Sequence, residues 1–415
     1  MSRLLFLAHR IPYPPDKGEK IRAFHILEHL TKRFEVECGC LVDDPADEAH
    51  IATLRSRVAH LEAPVVTGRT RAAARALLHL RPGRPLTQGW FRNRHLSAWV
   101  DRGLAAGRYD AVFVFSSAMA PYVMGRPRHP RGQVRVLDLV DVDSEKFAAY
   151  AAKGRGPMRL VHGREARTLL ALERAAVAAF DHALFVSAAE ARKFAELAPE
   201  CAGRVGFVAN GVDFSRFDPR QDWPSPFANP GPRIVFTGAM GYAPNIEAVT
   251  WFAREVFPRL RQRTAPPEFV IVGQNPAPAV QALAALPGVA VTGTVPAVQP
   301  YLAHAAVAVA PLLLARGIQN KVLEAMAMAR PVVATPQAFE GIQGSPGRDL
   351  LVADGAEAFA QAVAAVLDGA HPGLGQAARA AVLAGHDWDA TLAPLDRLLV
   401  EPQGHGHTLP AALTR

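Results

Sequence analysis

Cysteine is scarce in this sequence and irregularly spaced. The 415 residues include three cysteines, Cys38, Cys40 and Cys201. A disulfide framework or a cysteine-based zinc site needs more cysteines at regular spacing, so both are excluded. Cys38 and Cys40 alternate along one apolar run, and we expect them to pack in a strand as small apolar side chains.

The sequence also lacks an apolar run of membrane-spanning length, which is about 18 residues or more. It starts with a short strand-like run, Leu4–Ala8, and shows no signal-peptide pattern. We therefore expect a cytoplasmic protein, whose contact with a membrane would be peripheral.

Two further groups of motifs are missing. The absence of a GxGxxG fingerprint argues against a dinucleotide-dependent dehydrogenase, and no recognised DNA- or RNA-binding motif occurs. The net charge is nevertheless +8, carried mainly by arginine. This charge predicts a negatively charged partner other than nucleic acid, such as nucleotide phosphates, a lipid phosphate or an anionic membrane surface. A GC-rich genome is the alternative explanation for the arginine content.

Half of the residues are apolar, and a chain of this length is expected to form two domains. Short apolar runs alternate with helical segments, which is typical of parallel sheets covered by helices on both faces. A loop rich in Pro, Asp and Ser, Phe214–Pro232, interrupts the series, and we assign the run before it to the start of the second sheet. The predicted strands are Leu4–Ala8, Val36–Val42, Ala111–Phe115, Val134–Val140 and His182–Val186, followed by Val205–Ala209, Arg233–Thr237, Phe269–Gly273, Val289–Thr292, Val307–Pro311 and Pro331–Thr335.

The most informative segment, Ala315–Thr335, predicts a loop, a helix and a buried strand. Gly317 allows the loop to turn close to a ligand. The amides of Ile318, Gln319 and Asn320 would then lie at the positive end of the helix dipole. This arrangement favours binding of a phosphate group.

Two charged residues in this segment extend the predicted site. Lys321 adds a positive charge at the helix start, and Glu324 lies one turn further along the same helix face. The carboxylate of Glu324 can accept hydrogen bonds from ribose hydroxyls. The segment therefore predicts a site for an anionic ligand that carries a sugar. The alternative is a surface helix with a solvated Lys–Glu pair.

The segment resembles the nucleotide-sugar site of the family-four retaining glycosyltransferases, in which the second of two spaced glutamates holds the ribose. Glu324 matches this second glutamate, and Arg316 stands in place of the first, whose role is therefore not carried over. The arginine-containing form is similar to a bacterial subgroup of sugar transferases associated with exopolysaccharide and exosortase (PEP-CTERM) gene clusters. The resemblance also extends over Pro12–Leu30, Val136–Ser144, the structural turn Val208–Asp213 and Phe236–Ala248.

The resemblance implies an α/β fold of the GT-B type, with two doubly wound Rossmann-like domains whose parallel sheets face each other across a cleft. It predicts an acceptor-side domain over residues 1–200 and a nucleotide-sugar-binding domain over residues 201–386. Residues 387–400 are expected to form a helix that crosses back to the first domain, and residues 401–415 a disordered tail.

A proline-rich loop in the first domain leads into a helix that begins near Gly18. A glycine at that position permits close approach of a phosphate or a hydroxyl, and Lys17, Lys20 and Arg22 are nearby in sequence. The resemblance implies that this loop contacts the donor phosphates or the acceptor. A plain turn is the alternative.

Three aspartates, Asp138, Asp141 and Asp143, follow a predicted strand. Asp141 and Asp143 have the spacing of the metal-binding pair of GT-A transferases, but the resemblance is to GT-B enzymes, so we predict no metal cofactor. We interpret the aspartates as groups that orient an acceptor hydroxyl. Asp138 and Asp141 are catalytic candidates, because Ser116–Ala118 occupies the stretch where many family members have a histidine. Helix capping by Asp143 and Ser144 is the alternative.

The stretch Phe236–Ala248 ends a strand, passes through two glycines and begins a helix. Gly238 and Gly241 permit backbone contact with a donor diphosphate, and Asn245 would line the same site. The alternative is an ordinary strand-to-helix turn in which Asn245 caps the helix.

Family members commonly carry an arginine and a lysine in this stretch, which neutralise the leaving phosphates. Met240 and Asn245 stand there instead. Arg316 and Lys321 are therefore the catalytic candidates for that positive charge.

A basic segment, Gly68–Val100, combines arginines with leucine and aromatic residues. Such a surface can bind an anionic leaflet and bring the site to a lipid-linked acceptor. In the alternative interpretation the apolar residues belong to the core. The residues concerned are Arg69, Arg71, Arg75, Arg81, Arg84, Arg92 and Arg94 with Leu77, Leu78, Leu80, Trp90, Phe91 and Trp99.

The sequence therefore predicts a retaining glycosyltransferase that moves a sugar from a nucleotide-diphosphate sugar to a glycan or lipid-linked acceptor in exopolysaccharide biosynthesis. Two alternatives remain open at this point. One is a nucleotide-sugar epimerase of the GT-B fold, and the other is a catalytically inactive scaffold of a polysaccharide assembly complex.

Overall fold

The computed structural model describes residues 2–66, 68, 83–130, 132–315 and 317–400. The chain divides into two compact units. Unit 1 contains the residues up to Ala209 together with those from Leu392 onward, and unit 2 runs from Asn210 to Thr391. The first division falls beyond residue 200, where we predict the boundary. The second falls inside the last described helix, Trp388–Val400.

Unit 1 is built on a seven-stranded sheet in the order β3-β2-β1-β4-β5-β6-β7, in which every pair of neighbours is parallel. The strand order reverses between β1 and β4, which is where open α/β sheets bind ligands at the carboxyl ends of the strands. The strands are β1 (Arg3–Ala8), β2 (Glu35–Cys40), β3 (His60–Glu62), β4 (Ala111–Phe115), β5 (Val134–Val140), β6 (His182–Phe185) and β7 (Val205–Phe207).

Helices connect these strands. The described ones are α1 (Gly18–Thr31), α2 (Ile51–Arg55), α3 (Leu86–Trp90), α4 (Arg94–Ala105), α5 (Asp143–Lys153), α6 (Pro157–Ala179) and α7 (Ala188–Leu197). Short 3-10 turns occur at Pro45–His50, Ser117–Tyr122 and Pro199–Arg204. The strands are buried along nearly their whole length, as expected for a sheet covered on both faces.

Unit 2 contains a six-stranded parallel sheet in the order β10-β9-β8-β11-β12-β13, with its reversal between β8 and β11. The strands are β8 (Arg233–Thr237), β9 (Glu268–Val272), β10 (Val289–Val291), β11 (Val307–Ala310), β12 (Val332–Ala334) and β13 (Leu351–Val352). Helix α8 (Ala243–Trp251) continues through a π-helical turn (Phe252–Val256) into α9 (Phe257–Leu260), and a 3-10 turn occurs at Ala282–Ala285. The other helices are α10 (Pro278–Gln281), α11 (Gln299–Ala303), α12 (Asn320–Ala327), α13 (Pro336–Phe339), α14 (Ala356–Leu367) and α15 (Leu374–Gly385). The last helix, α16 (Trp388–Val400), begins in unit 2 and continues into unit 1 at Leu392.

The predicted parallel α/β organisation is confirmed in both units, except that one predicted strand belongs to the other sheet and two edge strands were not predicted. The run Val205–Ala209 was assigned to the second sheet, which is wrong, because β7 pairs with β6 in unit 1. The edge strands β3 and β13 were missed, because β3 has a single apolar residue, Leu61, and β13 has only two residues. Cys38 and Cys40 are buried in β2, as predicted.

The end of the described chain packs in unit 1. Asp396 of α16 accepts a hydrogen bond from Nε2 of His29 at 2.9 Å and forms an ion pair with Arg33 at 3.1 Å. The predicted tail, residues 401–415, lies outside the described residues. In the described part of the chain, no helix combines the length and the apolar character needed to cross a bilayer.

Candidate functional site

A cluster of polar groups lies at the carboxyl ends of β8 and β11, the two strands between which the sheet order of unit 2 reverses. Gly238 follows β8 directly, and the loop after β11 leads to α12, which begins at Asn320. The topology therefore brings the two predicted segments, Phe236–Ala248 and Ala315–Thr335, to one position that suits a ligand.

Lys321 is the central cation of this cluster. Its Nζ donates a hydrogen bond to Oδ1 of Asn245 at 2.6 Å and lies 4.5 Å from the centre of the Phe236 ring. Nδ2 of Asn245 in turn donates to the carbonyl oxygen of Ala239 at 2.9 Å, which fixes the orientation of the side-chain amide. Asn245 lies inside α8 and does not cap it, so the capping interpretation of this residue is wrong.

Gly238 is required by the close packing around this lysine. A β-carbon at residue 238 would lie 2.8 Å from Nδ2 of Asn245 and 3.4 Å from Nζ of Lys321. Gly241 is exposed, and a β-carbon there would approach the carbonyl oxygen of Asn275 to 3.3 Å. Gly238 thus keeps the backbone of this loop within reach of the lysine.

The predicted loop and helix are present, and α12 begins at Asn320. Gly317 has a φ of 62°, a left-handed conformation that glycine adopts readily, and the side chain of Gln319, at the N-cap position, makes no capping hydrogen bond. Ile318 is buried, which anchors the loop. The side chain of Asn320 is held by a hydrogen bond that Nδ2 of Asn210 donates to its Oδ1 at 2.9 Å.

The charges of Lys321 and Glu324 are strongly perturbed by burial. Desolvation lowers the pKa of Lys321 to about 7, with Glu324 acting in the opposite direction. Desolvation likewise raises the pKa of Glu324 to about 7, against the influence of Arg216 and Lys321. Strongly shifted pKa values cluster at functional sites, and an anion bound beside Lys321 would favour the charged form of this lysine.

His386 supports the turn before this site, and the sequence offered no signal for it. Its Nδ1 hydrogen-bonds the carbonyl oxygen of Asn210 at 2.8 Å, and its Nε2 accepts from the amide of Gln343 at 3.3 Å. Burial lowers the pKa of His386, which favours the neutral ring that these two bonds require. The structural role predicted for the Val208–Asp213 turn agrees with these contacts.

In unit 1, Asp138 forms a buried ion pair. Nε of Arg22 donates to Oδ2 of Asp138 at 2.9 Å, and both side chains are about 1% exposed. Arg22 also donates to the carbonyl oxygen of Val208 at 2.8 Å, while Oδ1 of Asp138 accepts from the amide of Val140 at 3.0 Å. Asp138 is therefore placed to hold the end of β5 in position.

Asp141 has a different environment. Its Oδ1 is buried and has no hydrogen-bond partner among the described residues. Desolvation, followed by the negative charges of Glu190 and Asp143, raises its pKa to about 7. Burial also raises the pKa of Asp143, and Lys146 opposes this shift. The two carboxyls lie at the carboxyl end of β5 and the start of α5.

The start of α5 is not capped by the residues that the sequence suggested. The helix begins at Asp143, so its N-cap position is Val142, whose apolar side chain accepts no hydrogen bond. The amide of Val142 instead donates to Glu190 at 2.7 Å, and Ser144 donates to Glu173 through its amide at 3.1 Å and its hydroxyl at 2.6 Å. Capping by Ser144 and Asp143 is therefore wrong, because carboxylates from α6 and α7 satisfy these groups.

Gly18 begins α1 and is exposed, with open space where a β-carbon would lie. Two of the nearby cations that the sequence suggested for binding a phosphate, Lys20 and Arg22, are bound to carboxylates inside the protein. Nζ of Lys20 is buried and donates to Asp47 at 2.7 Å, and Arg22 is used by Asp138. Neither is available to a phosphate, because burial of a long cationic side chain requires an internal carboxylate partner.

His9 is a candidate that the sequence interpretation missed. It follows β1, and its ring stacks on Phe115, the last residue of β4, with centroids 5.9 Å apart. Desolvation and the charge of Arg10 lower its pKa to about 4, so the ring is neutral. His9 thus lies where the sheet order of unit 1 reverses, beside the Ser116–Ala118 stretch, which itself contains no histidine.

Two sets of predictions lie wholly or partly outside the described residues. Arg316 lies outside them, and so do residues 69–82 of the basic segment Gly68–Val100, which include four of its seven arginines. Of its described aromatic residues, Trp99 is buried in the core and Phe91 packs edge-on against His9, which agrees with the core interpretation for these two. Across the described ranges, no group of three or more His, Cys, Asp or Glu residues is arranged to hold a metal ion.

Comparison with known protein families and folds indicates the class of protein. Residues 231–369, within unit 2, match the family described as glycosyl transferases group 1. No curated protein sequence matches the chain. The two parallel α/β units are those of the GT-B glycosyltransferase fold.

Solved structures share this fold over nearly their whole length. Sucrose-phosphate synthase from Thermosynechococcus elongatus is 16% identical, with a TM-score of 0.66 and coverage of 96% of this chain and 98% of that one. HepE from Anabaena, solved in complex with UDP-glucose, is 16% identical with a TM-score of 0.64 and coverage of 96% and 99%. A glycosyltransferase from Rickettsia africae is 11% identical with a TM-score of 0.63 and coverage of 98% and 99%.

Proposed function

We propose that the protein is a retaining glycosyltransferase that transfers a sugar from a nucleotide-diphosphate sugar to a glycan or a lipid-linked acceptor. The observation that carries this proposal is the position of Lys321, beside Asn245 and at the start of α12, at the strand-order reversal of unit 2. A cation, the backbone amides of a helix start and a carboxylate one helical turn away suit a diphosphate joined to a ribose.

The donor would bind through its diphosphate and its ribose. The amides at the start of α12 and the ammonium of Lys321 contact the phosphate oxygens, and Gly238 lets the backbone approach them. Glu324 accepts hydrogen bonds from the ribose hydroxyls. When the bond between the sugar and the phosphate breaks, negative charge grows on the leaving diphosphate, and the positioned lysine stabilises it without reorganisation.

Groups of unit 1 would bind the acceptor. Asp141 and Asp143 accept hydrogen bonds from an acceptor hydroxyl, and Asp138 positions the end of their strand through its pair with Arg22. His9 is neutral and can bind a hydroxyl as donor or acceptor. By the family resemblance, the donor phosphate itself accepts the proton of the acceptor hydroxyl, so the proposal requires neither a strong protein base nor a metal ion.

Two finer parts of the proposal, the retention of anomeric configuration and the role in exopolysaccharide biosynthesis, rest on the sequence resemblance. The proposed cytoplasmic location with peripheral attachment to an anionic membrane rests on the lack of a membrane-spanning apolar run, on the net charge of +8 and on the basic segment Gly68–Val100. UDP-glucose bound to HepE supports the choice of a nucleotide sugar as donor class.

The first experiment is a thermal-shift screen with UDP, GDP, ADP and their sugars, because a ligand that binds only the folded protein raises its melting temperature. The donor found is then supplied in labelled form, with and without acceptor candidates. We expect labelled glycan or glycolipid to form only when both substrates are present. Conversion of the donor alone would identify an epimerase. Donor binding without turnover across all acceptors would identify an inactive scaffold.

A further inference from the structure

The connection between α5 and α6 carries an unusual exposed surface in unit 1. Seven consecutive residues, Arg155–Val161, are exposed. They include three large apolar side chains, with Met158 at 53% exposure, Leu160 at 76% and Val161 at 38%. Leu160 is the most exposed large apolar residue in the described part of the chain. We call Lys153–Val161 the hairpin tip.

The same surface is strongly basic. No acidic residue occurs between Glu145 and Glu165, whereas this stretch contains Lys146, Lys153, Arg155, Arg159 and Arg164. Lys153, Arg155 and Arg159 are exposed and alternate with the apolar residues of the tip. Exposed apolar side chains surrounded by positive charge are characteristic of segments that lie in the interface of an anionic bilayer.

Internal contacts hold the hairpin in shape. The rings of Phe147 and Tyr150 on α5 pack against His162 on α6, with centroids 6.0 and 5.7 Å apart. The amide of Gly154 donates to the carbonyl oxygen of Tyr150 at 2.8 Å, and Gly156 turns the chain with a φ of 69°. The apolar side chains therefore stay exposed in a fixed conformation, because the hairpin is already packed.

The tip also adjoins the basic segment noted in the sequence. Glu165 of α6 accepts hydrogen bonds from the amides of Leu86 and Thr87, both at 2.8 Å. Arg164 donates to the carbonyl oxygen of Arg84 at 2.9 Å. The described end of the segment Gly68–Val100 is thus attached to α6 immediately after the tip.

We propose that the hairpin tip, Lys153–Val161, docks the protein on an anionic phospholipid bilayer, with Leu160 and Met158 entering the acyl boundary and Arg155 and Arg159 binding lipid phosphates. An anionic bilayer is the partner that fits this surface, because all charged residues of the tip are basic and its apolar residues project from the connection between two helices. This inference specifies the membrane attachment proposed above, and its test does not require sugar transfer.

The first test measures co-sedimentation at low salt with vesicles of phosphatidylcholine alone or mixed with an equal amount of phosphatidylglycerol. We expect the protein to bind only the mixed vesicles, and the binding to weaken as salt is added. Met158→Ser with Leu160→Ser, and separately Arg155→Glu with Arg159→Glu, should each weaken binding at least about tenfold. The matched controls, Leu383→Ser and Arg254→Glu, change an exposed leucine and an exposed arginine of unit 2 and should bind as the unaltered chain does.

A second readout locates the contact. The native cysteines are buried, so a cysteine placed by Leu160→Cys can be labelled selectively with an environment-sensitive dye. Its emission should shift to the blue on mixed vesicles, whereas the same dye at Leu383→Cys should not respond. Absence of vesicle binding at low salt, or unchanged binding by both tip variants, would overturn the proposal. If the tip variants instead altered only self-association, the surface would be a protein interface.

Discussion

Nζ of Lys321 donates a hydrogen bond to Oδ1 of Asn245 at 2.6 Å, across 76 residues of sequence. The direct hydrogen-bond partner of Lys321 is thus a neutral amide, which holds the ammonium group in place without cancelling its charge. Lys20 in unit 1 provides the contrast, because its Nζ is bound by the carboxylate of Asp47. Lys321 can therefore respond to an incoming anion, whereas the charge of Lys20 is balanced inside the protein.

The first prediction concerns Lys321→Met, which keeps most of the packing and removes the charge. We expect turnover to fall by about two orders of magnitude or more, because positioned electrostatic groups contribute at that level, while the melting temperature is retained. Steady-state kinetics with the donor found in the screen measures the loss. Lys193→Met is the control, since Lys193 pairs on the surface with Glu145 at 3.5 Å. Near-normal turnover by the Lys321 variant would contradict the assigned role.

The second prediction separates Glu324 from Lys321 by ligand type. Glu324→Gln keeps the shape of the side chain but weakens its capacity to accept hydrogen bonds from ribose hydroxyls. We expect weaker binding of the nucleoside diphosphate and unchanged binding of inorganic pyrophosphate. Lys321→Met should weaken both. Calorimetric titration of each variant with each ligand measures this pattern, and equal losses for the two ligands in the Glu324 variant would argue against ribose recognition.

Gly18 gives a third prediction, because open space lies where a β-carbon at this residue would stand. In Gly18→Ala the added methyl group contacts no protein atom, so the melting temperature should be maintained or slightly raised. If a substrate approaches the start of α1, the same methyl group should lower turnover. Gly203→Ala is the matched control, as it also has no atom within 4 Å of the added carbon. Unchanged turnover in the Gly18 variant would mean that the glycine belongs to a plain turn.

The fourth prediction concerns the ion pair of Arg22 and Asp138. Asp138→Ala leaves the guanidinium of Arg22 buried without its carboxylate, which typically costs about 3–5 kcal/mol of stability. We therefore expect a large fall in the melting temperature, accompanied by loss of activity. The double variant Arg22→Met with Asp138→Leu should recover part of the stability, because both buried charges are then absent. An Asp138 variant that folds normally and is inactive would instead indicate direct participation in catalysis.

The sequence predicted the strands of both sheets well wherever they are continuous apolar runs, as in β1 and β4, because such runs are buried on both faces of a parallel sheet. It also predicted that Gly238 follows a strand and that Lys321 and Glu324 lie in a helix, as they do, since a glycine-containing loop before a helix is a local pattern. Both predictions depend on residues that are close together in the chain.

Contacts between distant residues could not be predicted in this way. Arg22 and Asp138 are 116 residues apart, and nothing in either segment shows that the two charges neutralise each other. The same applies to His9, whose position beside Phe115 depends on the pairing of β1 with β4. Single-sequence patterns identify the elements, whereas these side-chain pairs follow from the strand order.

The last prediction concerns pH and Asp141. Its pKa is raised to about 7 in the folded protein from an ordinary value of 3.8, so the folded state favours the protonated form. The stability associated with that proton is fully present below the unfolded pKa and is lost as the pH rises through about 7. Asp141→Asn removes this titration but keeps a side chain of similar size.

The stability difference between Asp141→Asn and the unaltered chain should therefore change with pH. Near the ordinary aspartate pKa the two should differ little, and at about pH 8 the variant should be more stable by about 1–2 kcal/mol, a fraction of the full linkage energy because the carboxyl is partly exposed. Urea unfolding at several pH values measures the difference. Glu173, whose pKa burial also raises to about 7, remains in both proteins, so its contribution cancels. A difference that did not depend on pH would show that Asp141 is ionised in the folded protein throughout this range.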